Sequence, residues 1–337
     1  MKIQENISLK EYNTFGIDKK ARYFIRVQTA ADVIHAIELS KKLHVPLFIL
    51  GGGSNILLTT NLEYLVVKID IQGIVPIHED EQSVYVKVGA GVIWHKLVRH
   101  AISKNWAGIE NLSLIPGTVG AAPMQNIGAY GAEIKDVFHQ LEAIHLSSGT
   151  IVRFSNEDCG FGYRDSVFKK SHKNQYVITT VTFKLEKTPN VNISYGDIKG
   201  TLIKLGLTPD SIKAVSDAVI HIRQQKLPDP KNIGNAGSFF KNPTLSIPSF
   251  AVLKKNHPEI PGYPVDNGIK IPAAWLIEKS GWKGKRLGAI GVHKNQPLVL
   301  VNYGGSDGND ILKLSAKIQK DIQKKFGVFL EREVNVI

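Results

Sequence analysis

The sequence LIPGTVGAAPMQNIGAYG, from Leu114 to Gly131, carries more information about the fold than any other stretch of the chain. It contains no charged side chain, and Gln125, Asn126 and Tyr130 are its main polar residues. Glycine permits positive φ and a close approach of the backbone to a ligand. Successive N–H groups in such a loop form a concave binding site for phosphate. The stretch therefore predicts a phosphate-bearing ligand.

A second glycine-rich turn, GGGSN at 51–55, directly follows the apolar run at 45–50. Taken alone, a strand that leads into such a turn indicates either a phosphate site or a plain turn. Two loops of this kind on one chain favour a ligand with a central pyrophosphate, such as a dinucleotide cofactor. The turn lacks the GxGxxG spacing, and no helix with a good apolar stripe follows it, so a Rossmann unit is not predicted.

The composition indicates a folded protein with more than one domain, since 43% of its 337 residues are hydrophobic. The single cysteine, Cys159, excludes an intramolecular disulfide and a cysteine-based zinc site, and we expect it to be a small, partly buried hydrophobe. No metal site is predicted. The N-terminus has no apolar segment typical of a signal peptide, and no apolar stretch is long enough to span a bilayer.

The formal net charge of +12 is compatible with several functions. Its lysines are dispersed rather than gathered on one basic helix. This pattern favours electrostatic steering of a multiply anionic small substrate over nucleic-acid binding. A mere effect on solubility stays open as well.

Hydrophobic periodicity predicts an α+β fold, because strands follow one another with few helices between them. The predicted helices are 30–43, a segment after Gly91 with Ile93, Leu97, Val98 and Ala101, a segment with Ile212, Val215, Val219 and Ile222, 272–280 and 309–326. The predicted strands are 46–50, 64–69, 84–88, 141–145, 150–154, 176–185 and 298–301. The stretch 228–272 shows little periodicity and is predicted to be a long functional or mobile loop. Alternation in the last ten residues predicts a strand with Val328, Leu330, Val334 and Val336 on one face.

Two polar residues have both a structural and a functional interpretation. Arg164, in Gly162–Ser166, fits a surface turn with an Arg–Asp pair, or an arginine that holds a carboxylate through two hydrogen bonds. Ser238 fits a plain turn or a hydroxyl in a dry pocket, and no Gly-x-Ser-x-Gly motif surrounds it. The pattern around Glu333 indicates only an exposed strand carboxylate.

Six segments together give the chain a strong resemblance to the UDP-N-acetylenolpyruvoylglucosamine reductase (MurB) family of the bacterial peptidoglycan pathway. They are NTFG at 13–16, GGGSN at 51–55, IPGTVGAAPMQNIGAYG at 115–131, CGFGYRDSVFK at 159–169, KLPDPKNIGNAGSFFKNP at 226–243 and LEREV at 330–334. YGDI at 195–198 and GYP at 262–264 are similar to the longer-loop type I of this family, in which a tyrosine folds over the substrate. Arg332 stands where the family pattern leads us to expect proline.

The resemblance implies a fold and a domain order. It implies a two-subdomain FAD-binding region of the vanillyl-alcohol-oxidase/PCMH type, followed by a C-terminal α+β substrate-binding domain. The expected segments are 1–70 and 71–208 for the two FAD-binding subdomains, 209–326 for the substrate domain, and 327–337 for a strand returning to the FAD-binding half. Because Ser54 follows the glycines, noncovalent FAD is expected.

The resemblance also implies a reaction. NADPH reduces the flavin, and hydride then passes to the β-carbon of the enolpyruvyl ether of a UDP-sugar, with charge spreading into the carboxylate. Arg164 and Glu333 are expected to flank that carboxylate, and Glu333 to have a raised pKa. Ser238 is expected to protonate the α-carbon. The product would be UDP-N-acetylmuramate.

The resemblance assigns further residues by position. The cofactor-binding residues are expected to be Gly51, Gly52, Gly53, Ser54, Asn55, Pro116, Gly117, Thr118, Gly120, Ala121, Gln125, Asn126, Gly128, Ala129 and Tyr130. The UDP-sugar contacts are expected to be Tyr195, Lys226, Asn242 and Tyr263. We expect a cytoplasmic monomer that inserts into no membrane and binds no nucleic acid. Two alternatives remain: an oxygen-using flavin oxidase on the same scaffold, and a nonenzymatic basic binding protein.

Overall fold

The computed structural model describes residues 2–337, which divide into two compact units. Unit 1 comprises 2–7, Lys20–Gly53 and Leu62–Gln224. Unit 2 comprises Ser8–Lys19, Ser54–Asn61 and Gln225–Ile337. The chain thus changes unit within the first glycine-rich turn, between Gly53 and Ser54. The four-segment domain division expected from the sequence stays a prediction.

Helices and strands alternate irregularly along the chain. The α-helices are α1 (Ala30–Leu43), α2 (Trp94–Ser103), α3 (Asn156–Cys159), α4 (Ile198–Lys204), α5 (Ile212–Lys226), α6 (Ile247–Asn256), α7 (Ala273–Lys279) and α8 (Gly308–Phe326). The strands are β1 (Gln4–Ser8), β2 (Lys20–Val27), β3 (Leu47–Leu50), β4 (Ile56–Leu57), β5 (Leu62–Ile69), β6 (Ile74–Glu79), β7 (Ser83–Gly89), β8 (Gly128–Ala129), β9 (Ala132–Glu133), β10 (Phe138–His145), β11 (Ile151–Ser155), β12 (Tyr176–Glu186), β13 (Gly234–Ser238), β14 (Thr244–Leu245), β15 (Tyr263–Val265), β16 (Gly268–Lys270), β17 (Arg286–Leu287), β18 (Ile290–Val292), β19 (Val299–Asn302) and β20 (Asn335–Val336). The predicted helices at 30–43 and 309–326 are confirmed as α1 and α8.

Unit 1 is built on two sheets. The first has the order β1-β2-β5-β3, in which β2, β5 and β3 are parallel. The second has the order β11-β10-β12-β7-β6 and is antiparallel. Alternating valines of β7 and the apolar face of α2 are buried in one large core, together with Trp94. This mixture of helices with a parallel and an antiparallel sheet confirms the α+β prediction. The first glycine-rich turn follows β3, of which only the last residue, Leu50, is fully buried.

Unit 2 contains the antiparallel sheet β13-β19-β18-β17 and the small sheet β14-β16-β15. The prediction of a long irregular loop over 228–272 is therefore wrong, because β13 to β16 and α6 lie in it. These strands are at most five residues long. Elements so short do not show a clear period in sequence.

Two further expectations need correction. The predicted C-terminal strand is regular only over β20, which pairs in parallel with β4 inside unit 2. Val328, Leu330 and Val334 are buried as expected, but Val336 is 37% exposed. The helix expected to include Ile93 begins at Trp94 instead, and Ile93 is 59% exposed at the N-cap. Among residues 2–337, no helix combines the length and apolarity needed to cross a bilayer.

Candidate active site

The two glycine-rich loops pack directly on each other within unit 1. A Cβ on Gly52 would lie 2.7 Å from Gly117 Cα, and a Cβ on Gly51 would lie 2.9 Å from Thr118 Oγ1. Contacts this short are not available to any residue with a side chain. The glycines therefore let two backbones approach closely at one place. Phosphate binding by these loops stays a prediction.

The second loop is fixed to the start of α2. The N–H groups of Val119 and Gly120 donate to the carbonyls of Val92 and Ala90, both at 2.9 Å, and Trp94 N–H donates to Gly117 O at 3.0 Å. Gly117 has φ of +112°, which favours glycine. These three backbone hydrogen bonds thus fix the second loop to the start of α2 and to the residues just before it.

Thr118 supplies an unsatisfied polar group beside these glycines. Its Oγ1 is buried and has no hydrogen-bond partner. A buried hydroxyl of this kind is destabilising unless a ligand or an ordered water bonds to it. A phosphate oxygen of FAD would satisfy this hydroxyl. The residues present here therefore fit the cofactor that the sequence suggested.

Asn126 supports the loop from within. Its Nδ2 donates to Glu133 Oε2 at 2.8 Å and to Gly162 O at 3.1 Å, and its Oδ1 accepts from Lys135 N–H at 3.1 Å. The residue is fully buried and has φ of +44°. The side chain is therefore committed to holding the loop, and the expected contact of Asn126 with cofactor stays a prediction.

Arg164 lies at the tip of a tight turn in unit 1. Gly162 and Asp165 exchange backbone hydrogen bonds across this turn, and Arg164 has φ of +54°. Its Nη2 donates to Gly128 O at 2.6 Å, so its guanidinium is tied to the second glycine loop. Asp165 forms its ion pair with Lys170. A left-handed conformation at a residue with a Cβ stores strain, and strain of this kind is concentrated at functional sites.

Ser238 and Glu333 lie on neighbouring backbone segments of unit 2. Ser238 ends β13, and the next residue, Phe239, accepts a hydrogen bond from Glu333 N–H at 2.8 Å. Lys241 N–H donates to Glu331 O at 2.9 Å, so the two segments pair on both sides of Phe240. Phe239 and Phe240 are fully buried and anchor this pairing. The structure therefore brings two of the three expected catalytic residues together.

Asn55 also belongs to this part of unit 2. Its Nδ2 donates to Glu333 O at 3.3 Å, and its own carbonyl accepts from Asn335 N–H at 3.1 Å. The end of the first glycine-rich turn is thus bonded to the backbone of the C-terminal segment.

The expected substrate residues fall in both units. Tyr195, in unit 1, is 59% exposed. It lies against Gly131, because a Cβ added to Gly131 would be 3.1 Å from the Cβ of Tyr195. Tyr263, on β15 of unit 2, is equally exposed. Lys226 is the exposed last residue of α5. Asn242 Oδ1 accepts from Ala273 N–H at 2.9 Å at the start of α7, which leaves its amide NH₂ as a donor.

Sequence reasoning missed three residues that organise the second loop. Asn111 Nδ2 donates to the carbonyls of Tyr130 and Asn192, both at 2.9 Å. His95 Nδ1 accepts from Leu114 N–H at 3.0 Å, at the start of the loop. Arg223 on α5 hydrogen bonds with Tyr130. None of them lies in a glycine-rich motif, and only the fold brings them to it.

The chain matches two family models over most of its length. Residues 21–155 match the FAD binding domain, and residues 229–337 match the C-terminal domain of UDP-N-acetylenolpyruvoylglucosamine reductase. No group of three or more His, Cys, Asp and Glu side chains within 2–337 is arranged to hold a metal ion.

Solved structures confirm the predicted fold class. The reductase (MurB) of Thermus caldophilus superimposes with a TM-score of 0.70 at 25% identity, covering 100% of this chain and 99% of that one. The 6-hydroxy-D-nicotine oxidase of Arthrobacter nicotinovorans gives a TM-score of 0.52 at 13% identity, covering 99% of this chain and 88% of that one. The second likeness bears on the fold alone.

Relatives of known name match over their whole length. UDP-N-acetylenolpyruvoylglucosamine reductase of Amoebophilus asiaticus is 51% identical over 338 residues and that of Flavobacterium johnsoniae is 50% identical over 339 residues, with 100% of each chain covered. The enzyme of Pseudomonas aeruginosa is 45% identical over 337 residues, which cover 100% of this chain and 99% of the relative. This chain therefore belongs to the UDP-N-acetylenolpyruvoylglucosamine reductase family.

Proposed function

We propose that this chain catalyses the NADPH-dependent, FAD-mediated reduction of UDP-N-acetylglucosamine enolpyruvate to UDP-N-acetylmuramate, a step of peptidoglycan precursor synthesis. The observation that carries the proposal is the full-length identity of 51% to a reductase of this name. The FAD-binding domain match over 21–155 and the packed glycine loops support a flavin oxidoreductase. FAD and NADPH are its cofactors.

FAD fits the surface formed by the two glycine loops. Gly51, Gly52 and Gly117 would hold it through backbone N–H groups, and Thr118 through its unpartnered hydroxyl. When bound there, FAD would supply the hydride-transfer chemistry between NADPH and the enolpyruvyl double bond. The other cofactor-binding residues expected from the sequence remain part of this proposal.

Arg164 is proposed to hold the carboxylate of the enolpyruvyl group. One nitrogen of its guanidinium is fixed by Gly128 O, so the fork is oriented before substrate arrives. Negative charge spreads into this carboxylate as hydride adds to the β-carbon. A cation already in place stabilises that charge without reorganising in the transition state.

Ser238 is proposed to donate the proton that the α-carbon needs. It is half-buried at the end of β13, between Gly237, which has φ of +69°, and the buried Phe239. Glu333 is proposed to contact the same carboxylate, and the backbone pairing described above fixes it near Ser238. Tyr195, Lys226, Asn242 and Tyr263 are proposed to contact the UDP-sugar, with Lys226 acting as a point charge for its diphosphate.

An anaerobic half-reaction tests the proposal. One equivalent of NADPH is added to the purified holoenzyme and is expected to bleach the visible flavin band. Addition of UDP-N-acetylglucosamine enolpyruvate is then expected to restore the band and give UDP-N-acetylmuramate. A band that returns only when air is admitted would instead identify an oxidase, and a purified protein with no flavin would refute the cofactor assignment.

The remaining proposals concern the compartment of the protein, its oligomeric state and the class of ligand that it binds. We propose a cytoplasmic monomer that acts on small anionic molecules and binds no nucleic acid, since its +12 charge suits the steering of NADPH and a UDP-sugar. Sedimentation at several concentrations tests the monomer. Salt-sensitive binding of DNA would contradict the assignment of the charge to small ligands.

A further inference from the structure

Arg223, in the last turn of α5, is a cation for which the proposed mechanism has no use. Its Nε is buried and lacks a hydrogen-bond partner, while its guanidinium bonds with the Tyr130 hydroxyl. A buried N–H without a partner destabilises the folded state. A group kept in this condition is a candidate for binding something that arrives later.

The charges around Arg223 are positive. Burial lowers the pKa of its guanidinium, and Arg164 lowers it further, while only Tyr130 raises it. Burial also lowers the pKa of His95, with added effects from Arg99 and Arg223. Within the chain from residue 2 onward, no carboxylate is among the groups that shift the pKa of Arg223. A half-buried cation whose Nε is fully buried, and which lies close enough to a second cation to be repelled by it, is unfavourable in the absence of an anion.

Packing fixes Arg223 relative to the second glycine loop. The buried face of α5, which includes Val215, Val219 and Ile222, forms a small core against which Tyr130 packs. Asn111 holds the Tyr130 carbonyl from the other side. The same loop holds Arg164 through Gly128 O. Arg223 and Arg164 are therefore both attached to one rigid loop of unit 1.

We propose that Arg223 binds a phosphate or diphosphate oxygen of a ligand that lies beside Tyr130. A guanidinium offers several donors in a fixed plane, which suits an oxyanion. NADPH and the UDP-sugar both carry diphosphate, so the inference rests on the proposed function and adds a binding residue to it. The bound oxyanion would give Arg223 an anionic partner and would offset the repulsion between Arg223 and Arg164.

Binding measurements on the full-length holoenzyme test this inference. NADP⁺ and UDP-N-acetylglucosamine are titrated separately by protein fluorescence, with inorganic pyrophosphate as a competitor. Arg223→Met is expected to weaken one of the two ligands and pyrophosphate by roughly ten- to a hundredfold, the effect of one charged hydrogen bond. Arg99→Met removes an equal charge from the exposed side of α2 and is expected to leave both affinities unchanged. The ligand that weakens identifies the source of the oxyanion.

Tyr130→Phe separates binding from positioning. If Arg223 acts only by holding Tyr130, Tyr130→Phe will weaken the ligand as much as Arg223→Met does, and the double variant will add nothing. That result would overturn the inference, as would unchanged affinities in Arg223→Met. If Arg223→Met does not fold, Arg223→Lys replaces it, with an expected loss of about threefold because lysine lacks the planar fork. Unchanged affinity in Arg223→Lys would then overturn the inference.

The wild type separates this inference from the proposed function. A wild-type protein that binds neither NADP⁺ nor UDP-N-acetylglucosamine would refute the proposed function and, with it, the role of Arg223. A wild type that binds both, beside a folded Arg223→Met variant that also binds both equally well, would refute the role of Arg223 alone.

Discussion

Gly52→Ala should weaken FAD binding because it separates the two glycine loops. The new Cβ would lie 2.7 Å from Gly117 Cα and 3.1 Å from Gly117 C, where ordinary contact begins at 3.4 Å. Both contacts are with backbone, and no flexible side chain can turn away. The loops would have to separate by about 0.7 Å, and overpacking of this kind costs ~1–3 kcal/mol. If that strain is relieved in the FAD-free protein, affinity for FAD falls by roughly ten- to a hundredfold.

Gly162→Ala provides a matched control. Its Cβ would lie 3.6 Å from Asp165 Cβ, an ordinary contact, and Gly162 is not among the glycines with positive φ. Both variants are reconstituted with FAD, dialysed, and compared by the flavin that they retain and by the rise in melting temperature on adding FAD. Normal retention in Gly52→Ala would refute the idea that close packing of the loops forms the cofactor surface.

Three other predictions follow from particular side chains. Ser238→Ala should keep bleaching of the flavin by NADPH but slow its recolouring by the UDP-sugar by roughly 100- to 10,000-fold, and equal losses in stopped-flow traces of both half-reactions would contradict proton donation. Burial lowers the pKa of His95 below its ordinary value of 6.5, so as pH falls the imidazole is protonated in the unfolded state before it is protonated in the folded state. The free energy of unfolding should therefore decrease below about pH 6.5, less steeply in His95→Gln, and identical pH slopes in urea titrations would exclude His95 as a source. Burial raises the pKa of the Cys159 thiol to about 12, so a thiol reagent at mildly alkaline pH should label the denatured but not the native protein.

The sequence was most informative where one element repeats a pattern over several turns. Thr29 and Asp32 form a capping box at the start of α1, and α8 shows its buried positions at helical spacing. A helix of this length buries a continuous stripe, so its apolar residues must recur with the helical period. The same reasoning failed over 228–272, where each strand pairs over only a few residues.

The candidate site was predictable only in part, and the reason differs between its residues. Glycines indicate a close approach of the backbone directly, so Gly52 and Gly117 could be proposed as site residues from the two glycine-rich stretches alone. Arg164 and Asp165 are adjacent in sequence, which suggested a mutual pair, but it did not suggest the ion pair of Asp165 with Lys170 or the hydrogen bond from Arg164 to Gly128 O. Arg223 had no local signal at all, because Tyr130, its hydrogen-bond partner, is far from it along the chain.

Arg332 shows why a departure from the family pattern need not disturb the site beside it. Proline was expected here, and proline has no N–H to donate. The hydrogen bonds that pair this segment use Glu333 N–H and Glu331 O, and the Arg332 N–H takes no part in them. The position therefore accepts either residue without a change in how Glu333 is held. The arginine adds one contact of its own, since its Nε donates to Ser315 Oγ at 2.9 Å, on the buried face of α8. The pairing of this segment with the one after Ser238 depends only on the backbone of residues 331 and 333. The side chain at 332 can therefore strengthen the attachment of the segment to α8 without affecting that pairing.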